Sequence, residues 1–202
     1  MPSETLLAFS MFAFVTSITP GPNNLMLLAS GVNFGFKASV PHMLGISAGF
    51  FIMVVAVGLG LAEVFSQFPW IYDFLKWMGA IYMLYLAWCI AASDPLKDGT
   101  ASTRVAKPMR FLGAAAFQWV NPKAWIMAVG AFSTYVPASS GLPVIAAVAT
   151  LFAVINLPCV GVWAVFGSGL RHVLEVRRNL LIFNYSMAGL LVASLYPLLY
   201  AS

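Results

Sequence analysis

Thr19-Pro20-Gly21-Pro22-Asn23-Asn24 breaks into an apolar run that extends over 5–29. Two prolines remove two backbone N–H donors, and Gly21 loosens the chain between them. Carbonyls freed inside hydrocarbon cost several kcal/mol each unless something satisfies them. The break therefore has to face protein or a watery cavity. Pro22 suits the first position of a new half-helix. The N-terminus of that half-helix offers unpaired N–H groups and about half a positive charge, a site for a carboxylate. The alternative is a plain proline kink with structural asparagines.

The composition around the break is that of a chain that lives in lipid. Of 202 residues, 61% are hydrophobic and 8% charged, with a mean hydropathy of +0.91. A soluble domain carries roughly 25% charged residues, so a soluble enzyme and a disordered chain are both excluded. A net charge of +4 and a pI near 9.2 do not make a nucleic-acid binder of so apolar a sequence. Crossing the ~30 Å hydrocarbon core takes about 20 residues, which leaves room for about six spans with loops between them. The apolar runs are continuous, unlike the alternating segments of about ten residues in a membrane β-barrel. The expected fold is an all-α integral membrane protein, one transmembrane domain over 1–202 with six transmembrane helices. Cys89 and Cys159 fall in apolar runs and read as free buried thiols. The start, Met1-Pro2-Ser3-Glu4-Thr5, lacks the basic region of a cleaved signal peptide, so the first helix reads as retained.

The six spans cover roughly 5–29, 41–62, 70–92, 111–135, 142–166 and 180–200. Pro41, Pro69, Pro108, Pro143 and the polar stretch 171–179 punctuate them, because proline fits helix starts better than interiors. Trp70, Tyr72, Trp77, Tyr135, Tyr196 and Tyr200 fall near the ends, where amphipathic rings favour the headgroup layer. The first, third and fifth connections hold Lys37; Lys97, Arg104, Lys107 and Arg110; and Arg171, Arg177 and Arg178, eight of the ten basic residues. The opposite side has Lys76. The positive-inside rule places the odd connections in the cytoplasm and both termini outside.

The longest connection, 93–110, is a polar linker that divides the chain into a first repeat (5–92) and a second (111–200). A three-span unit repeated after an odd number of crossings returns upside down. Each half places a polar proline break in its leading helix: Phe14 followed by 19–23, and Phe117 followed by Asn121-Pro122-Lys123. Two inverted three-helix repeats with broken first and fourth helices are a recurring transporter plan.

In span four, Asn121 can act as N-cap and Pro122 as first helical residue. Lys123 is the one charged side chain deep inside a predicted span, where burial costs from about 2.5–3.5 kcal/mol upward. An ammonium beside a half-helix N-terminus is electrostatically misplaced. A carboxylate shared between them would repair that; a structural hydrogen bond to freed carbonyls is the alternative. Asn156-Leu157-Pro158 interrupts span five near its middle and reads either as part of a site or as interhelix packing. Gly45 and Gly49 form a small-xxx-small pair suited to close helix contact. Trp119 and Trp125 flank the span-four break, as packing or as faces for a ligand's ammonium. The candidate substrate-binding set is thus Thr19, Pro20, Gly21, Pro22, Asn23, Asn24, Asn121, Pro122, Lys123 and Asn156. Lys123 and His42, beside Pro41 at the cytoplasmic end of span two, are the candidates for proton coupling. No catalytic set, cofactor motif or metal-ligand spacing is visible, and no P-loop points to ATP.

The run Thr19-Pro20-Gly21-Pro22-Asn23-Asn24-Leu25-Met26, the glycines from Gly31 to Gly35, and Asn121-Pro122-Lys123-Ala124-Trp125 resemble the LysE/RhtB family of bacterial amino-acid exporters. The resemblance covers essentially the whole chain. It implies export of an amino acid or close derivative across the bacterial cytoplasmic (inner) membrane, driven by the proton motive force, with no enzymatic activity and no cofactor. The lack of intramembrane Asp or Glu favours a neutral substrate. Its partners are then the amino acid and the lipid bilayer, not nucleic acid, with a homodimer left open. Backbone N–H groups after Pro22 and Pro122, together with Lys123, would bind the carboxylate. Side-chain oxygens of Asn23, Asn24 or Asn121, and carbonyls before Pro20, would take the ammonium, and rocking of the halves would give alternating access. A metal or other cation exporter is the second reading. It needs grouped ligands, and Cys89, Cys159 and His42 are not obviously together.

Overall fold

The computed structural model describes residues 2–61, 63, 67–93, 108–137 and 139–196. Among these, the chain forms eight α-helices: α1 (Ser3–Ile18), α2 (Pro22–Phe34), α3 (Phe36–Gly58), α4 (Pro69–Ala91), α5 (Phe111–Phe117), α6 (Pro122–Tyr135), α7 (Leu142–Leu170) and α8 (Arg177–Ala193). A single 3₁₀ turn, Gln118–Val120, joins α5 to α6. The linker residues 94–107, with Lys97, Arg104 and Lys107, and Tyr200 lie outside the described residues.

Both proline breaks form where the sequence places them. Span one is cut after Ile18, and α1 and α2 meet at a bend of 51°. Pro22 and Pro122 each open a new helix, and Asn121 is the N-cap of α6. Two other prolines do not behave as expected. Pro41 was expected to punctuate the start of span two, yet α3 begins at Phe36 and runs through it. Pro158 was expected to interrupt span five, yet α7 continues for 29 residues, from Leu142 to Leu170. A lone proline deletes one ladder bond and one helix turn can absorb that, whereas two prolines flanking a glycine delete consecutive constraints and the helix stops.

By length and apolarity, α3, α7 and the stretch Asp73–Ala91 of α4 can each cross a membrane, and the bent pair α1–α2 makes a fourth candidate. The span-four pieces are short individually because the break divides them, and α8 is described over 17 residues. Exposed large side chains such as Trp70, Trp77 and Trp88 stud the outer faces, as a lipid-facing bundle requires.

The packing has a cross-over pattern. The broken pair α1–α2 packs on α7; the broken pair α5–α6 packs on α3; and α4 packs on α8. The close approaches are made by glycine. A Cβ on Gly31 or Gly167 would strike the backbone of the facing helix, which fixes the α2–α7 crossing, and Gly45 and Gly49 meet Phe111, Ala114 and Ala115 of α5 in the same way. The expected small-residue contact of Gly45 and Gly49 is therefore present. At the outer turn of α2, Gly35 has φ +83° and ends the helix in a conformation that glycine favours. That turn lies against the Arg171 guanidinium, so the first and fifth connections share one end of the bundle. One apolar core joins α1, α3, α6 and α7, with Phe9, Phe50 and Phe152 edge to face at 4.8–5.5 Å. α2 lies at the centre, with Asn24 through Asn33 all buried.

Candidate functional site

The ends of the two breaks come together. Four consecutive carbonyls at the end of α1 are freed, and side chains of three helices satisfy all four. Asn24 donates through Nδ2 to the carbonyls of Ser17 (2.9 Å) and Thr19 (2.8 Å). The Trp163 indole of α7 donates to Ile18 (3.0 Å). The Lys123 ammonium donates to the carbonyls of Thr19 (2.7 Å) and Pro20 (3.2 Å) and to the Thr19 hydroxyl oxygen at 3.1 Å.

This arrangement settles the apparent electrostatic conflict at Lys123. Its ammonium lies across the gap, on the C-terminal carbonyls of α1, where the helix dipole favours a cation. The backbone N–H of Lys123, meanwhile, is taken by the Asn121 side chain at 3.1 Å. The lysine thus ties the two broken helices to each other. Gly21 makes the tie possible. Its backbone is extended and any residue could adopt it, but a Cβ there would sit 2.6 Å from Lys123 Cδ and 3.1 Å from Nζ.

A second bridge lies beside it. Asn23 and Gln118 exchange amide hydrogen bonds of 2.8 and 3.2 Å, and Gln118 also donates to the Ala114 carbonyl. Gln118 is wholly buried and was not among the residues singled out from sequence; a glutamine in an apolar span three residues before Asn121 was the available signal. Ser17 and Trp163 were missed as well. Each is one of several polar-capable residues on a mostly apolar helix, and sequence alone does not say which face it occupies. Trp119 and Trp125 turn to each other, the Trp125 indole donating to the Trp119 carbonyl at 2.9 Å.

Between the bridges lies a small cavity, about 20 Å³, lined among others by Ser17, Gly21, Asn24, Asn121, Lys123 and Asn156. That is room for about one water. Two of its walls are incompletely bonded. Asn24 and Asn156 are 3% and 4% exposed, yet the Oδ1 of each has no hydrogen-bond partner. The orientation of Asn24 is fixed, because its amide nitrogen already serves two carbonyls. Asn156 donates to the Ser17 hydroxyl at 3.1 Å. The α2 N-terminus, with Gly21 as N-cap, has no side chain capping it. The cavity is therefore edged by two unsatisfied acceptors, a cation and an uncapped helix start.

Of the sequence-predicted set, Gly21, Asn23, Asn24, Asn121, Lys123 and Asn156 line this cavity. Thr19 and Pro20 lie on its exposed rim, held by Lys123, and Pro22 and Pro122 open the two helices behind it. His42 does not join them: it stands in the wall of a different cavity, between α2, α3 and α4. Cys89 and Cys159 are both free; Cys159 is buried and Cys89 half-buried. Among the described residues no three His, Cys, Asp or Glu side chains gather as metal ligands would.

The family model of LysE type translocators matches residues 14–199, a stretch that contains both breaks and every cavity residue. The chain belongs to this family. It is similar to the cysteine/O-acetylserine efflux proteins of Escherichia coli strain K12, Escherichia coli O139:H28 and Shigella sonnei. Each is 36% identical over 169 residues, which is 83% of this chain and 84% of the relative. No solved structure matches it. LysE translocators are transporters, so this chain is a transporter and not an enzyme.

Proposed function

We propose that this chain exports a small neutral amino acid or amino-acid derivative, of the cysteine or O-acetylserine kind, from the cytoplasm by alternating access. The observation that carries the reading is the cavity between the two breaks, where a zwitterion's two charges find complementary groups. An ammonium placed there would donate to Asn24 Oδ1 and Asn156 Oδ1, which lack donors of their own. A carboxylate would take the uncapped N–H groups of α2 and one N–H of Lys123. The carbonyls before Pro20, expected to receive the ammonium, are already occupied by Asn24, Trp163 and Lys123. The asparagine oxygens take that role.

Binding and movement are linked through Lys123. A carboxylate that draws the ammonium toward itself weakens its bonds to Thr19 and Pro20, which tie one broken helix to the other. In this reading two inverted halves of three spans then rock about the site, a plan supported by the packing of α1–α2 on α7 and of α5–α6 on α3. The cavity is too small for an amino acid as it stands, so loading requires that opening. In this reading the positive-inside rule puts the odd connections in the cytoplasm, and the first and fifth lying at one end of the bundle, where the Gly35 turn meets Arg171, supports their being on the same side. Relatives named for cysteine and O-acetylserine, both neutral zwitterions, support a neutral substrate.

The experiment is efflux of labelled amino acids from vesicles containing the purified protein, with and without a pH gradient. Export of cysteine or O-acetylserine, accelerated by the gradient, is the expected result; no efflux of any neutral amino acid overturns it. Lys123→Arg tests the lysine as proton carrier, since arginine keeps its charge. Undiminished gradient-driven export by that variant removes Lys123 from proton coupling.

A further inference from the structure

A second cavity of about 210 Å³ lies between α2, α3, α4 and the Pro108–Met109 segment, toward the end of the bundle that carries Gly35 and Arg171. Its walls include Ser30, His42, Tyr82, Tyr85 and Cys89. Among the described residues no Asp, Glu, Lys or Arg lines it. His42 is 1% exposed, and neither ring nitrogen has a hydrogen-bond partner. A buried imidazole has one N–H and one lone pair to satisfy, so a fold that leaves both unmet at a cavity wall is built for something that arrives. Tyr82 and Tyr85 stand close, ring centroids 6.1 Å apart and 27° from parallel, and offer aromatic faces to a cation.

The cavity is aligned with the central site. On α2, Asn23, Met26, Ser30 and Asn33 follow helical spacing along one face. Asn23 belongs to the central bridge, whereas Met26, Ser30 and Asn33 line the second cavity. Ser30 is about 10 Å from Asn23 along the helix. Between them Met26 packs with Met83 and Phe117, and Phe117 adjoins Gln118 of the bridge. At the outer end, Asn33 and Asn184 exchange amide hydrogen bonds, and Asn184 donates to the Ser93 carbonyl, which holds α2, α8 and the end of α4 together.

We propose that this cavity is a second binding site for the exported zwitterion, occupied on the cytoplasmic side before the solute passes Met26, Met83 and Phe117 to the central site. This rests on the export reading given above. The ammonium lies on the tyrosine faces and the carboxylate accepts from the His42 N–H and the Tyr82 hydroxyl. A wall with two tyrosine faces and no charged side chain among its described residues holds a zwitterion without trapping it, as a waiting position should.

Cys89 reports on occupancy. In a Cys159→Ala chain it is the one remaining thiol. The rate at which a charged, membrane-impermeant methanethiosulfonate modifies Cys89 is measured in vesicles of both orientations, with and without cysteine's non-thiol analogue O-acetylserine. Modification is expected from the cytoplasmic face, slowed about tenfold at a solute concentration about ten times its Kd, as simple occupancy requires. Protection should persist in Lys123→Met and Asn156→Leu, whose central site is impaired, and weaken in His42→Gln and Tyr82→Leu. If either of these wall variants fails to fold, the other decides. Efflux with no protection of Cys89, no reaction from the cytoplasmic face, or protection that disappears with Lys123→Met and Asn156→Leu each overturns the second site. Absence of efflux in the unsubstituted chain instead overturns the export reading.

Discussion

Replacing Lys123 by methionine separates what the lysine does for folding from what it does for transport. Methionine keeps an unbranched stem of similar length, so packing against Gly21 is preserved. Three hydrogen bonds disappear, of 2.7, 3.1 and 3.2 Å. The Thr19 carbonyl keeps its 2.8 Å bond from Asn24, so only the Pro20 carbonyl and the Thr19 hydroxyl oxygen lose this donor. Thr19 and Pro20 are exposed, where such a loss is discounted, and a half-buried charge is removed at the same time. The net change in stability is about 1 kcal/mol or less. Transport should respond far more. Loss of one charge-assisted hydrogen bond to a carboxylate is worth about 1.5–3 kcal/mol, or about 10- to 150-fold in apparent affinity. Thermal unfolding in detergent and the concentration dependence of efflux from vesicles read the two quantities. Efflux within about threefold of the unsubstituted protein, a difference of about 0.7 kcal/mol, would refute the role of the ammonium.

Gly21→Ala introduces a Cβ 2.6 Å from Lys123 Cδ, so the flexible stem gives way and the tie to Thr19 and Pro20 breaks; folding should be kept within about 1–3 kcal/mol while efflux falls, measured side by side. Asn156→Leu loses a 3.1 Å bond to Ser17 but also removes a buried acceptor without a partner, so stability should change by about 1 kcal/mol or less while the KM for efflux rises. Gly167→Ala presses on the Leu28 backbone and on Gly31, which cannot move aside, and should lower stability by about 1–3 kcal/mol or more, seen as a drop in Tm. Pro158→Ala, in a helix that is already continuous, should leave both stability and efflux nearly unchanged.

The positions of the breaks were legible in the sequence because proline chemistry is local. A missing N–H at Pro22 or Pro122 and a capping oxygen at Asn121 act within one helical turn, and the structure places all three as read. The single prolines 41 and 158 were misread for a matching reason: whether one lost bond ends a helix depends on its neighbours, which are not local. The partners of the freed carbonyls were illegible. Nothing in the sequence distance from Ile18 to Trp163, or from Asn23 to Gln118, foretells a hydrogen bond. The glycine contacts fall between these cases. Gly45 and Gly49 were visible as a spacing, but their partner helix, α5, was not.

The same distinction explains why Lys123 looked misplaced. Judged by its own helix, it sets a positive charge at a positive end, an arrangement the dipole opposes. Judged by the assembled pair of breaks, it stands at the negative end of α1, with its ammonium on the Thr19 and Pro20 carbonyls. A charge that is wrong for its own helix and right for the neighbouring one can hold only while the two helices stay in register. Such a contact resists sliding of one half past the other until another ion competes for it. In the proposed function the carboxylate of a zwitterion is that ion, and the donors it would need lie in the same cavity as the two asparagine oxygens that its ammonium would require. An amino acid satisfies both demands at once, whereas a simple cation meets the oxygens but leaves the lysine tie closed. Under the proposed function, discrimination between solutes would lie in the release of that tie as well as in the fit of the cavity.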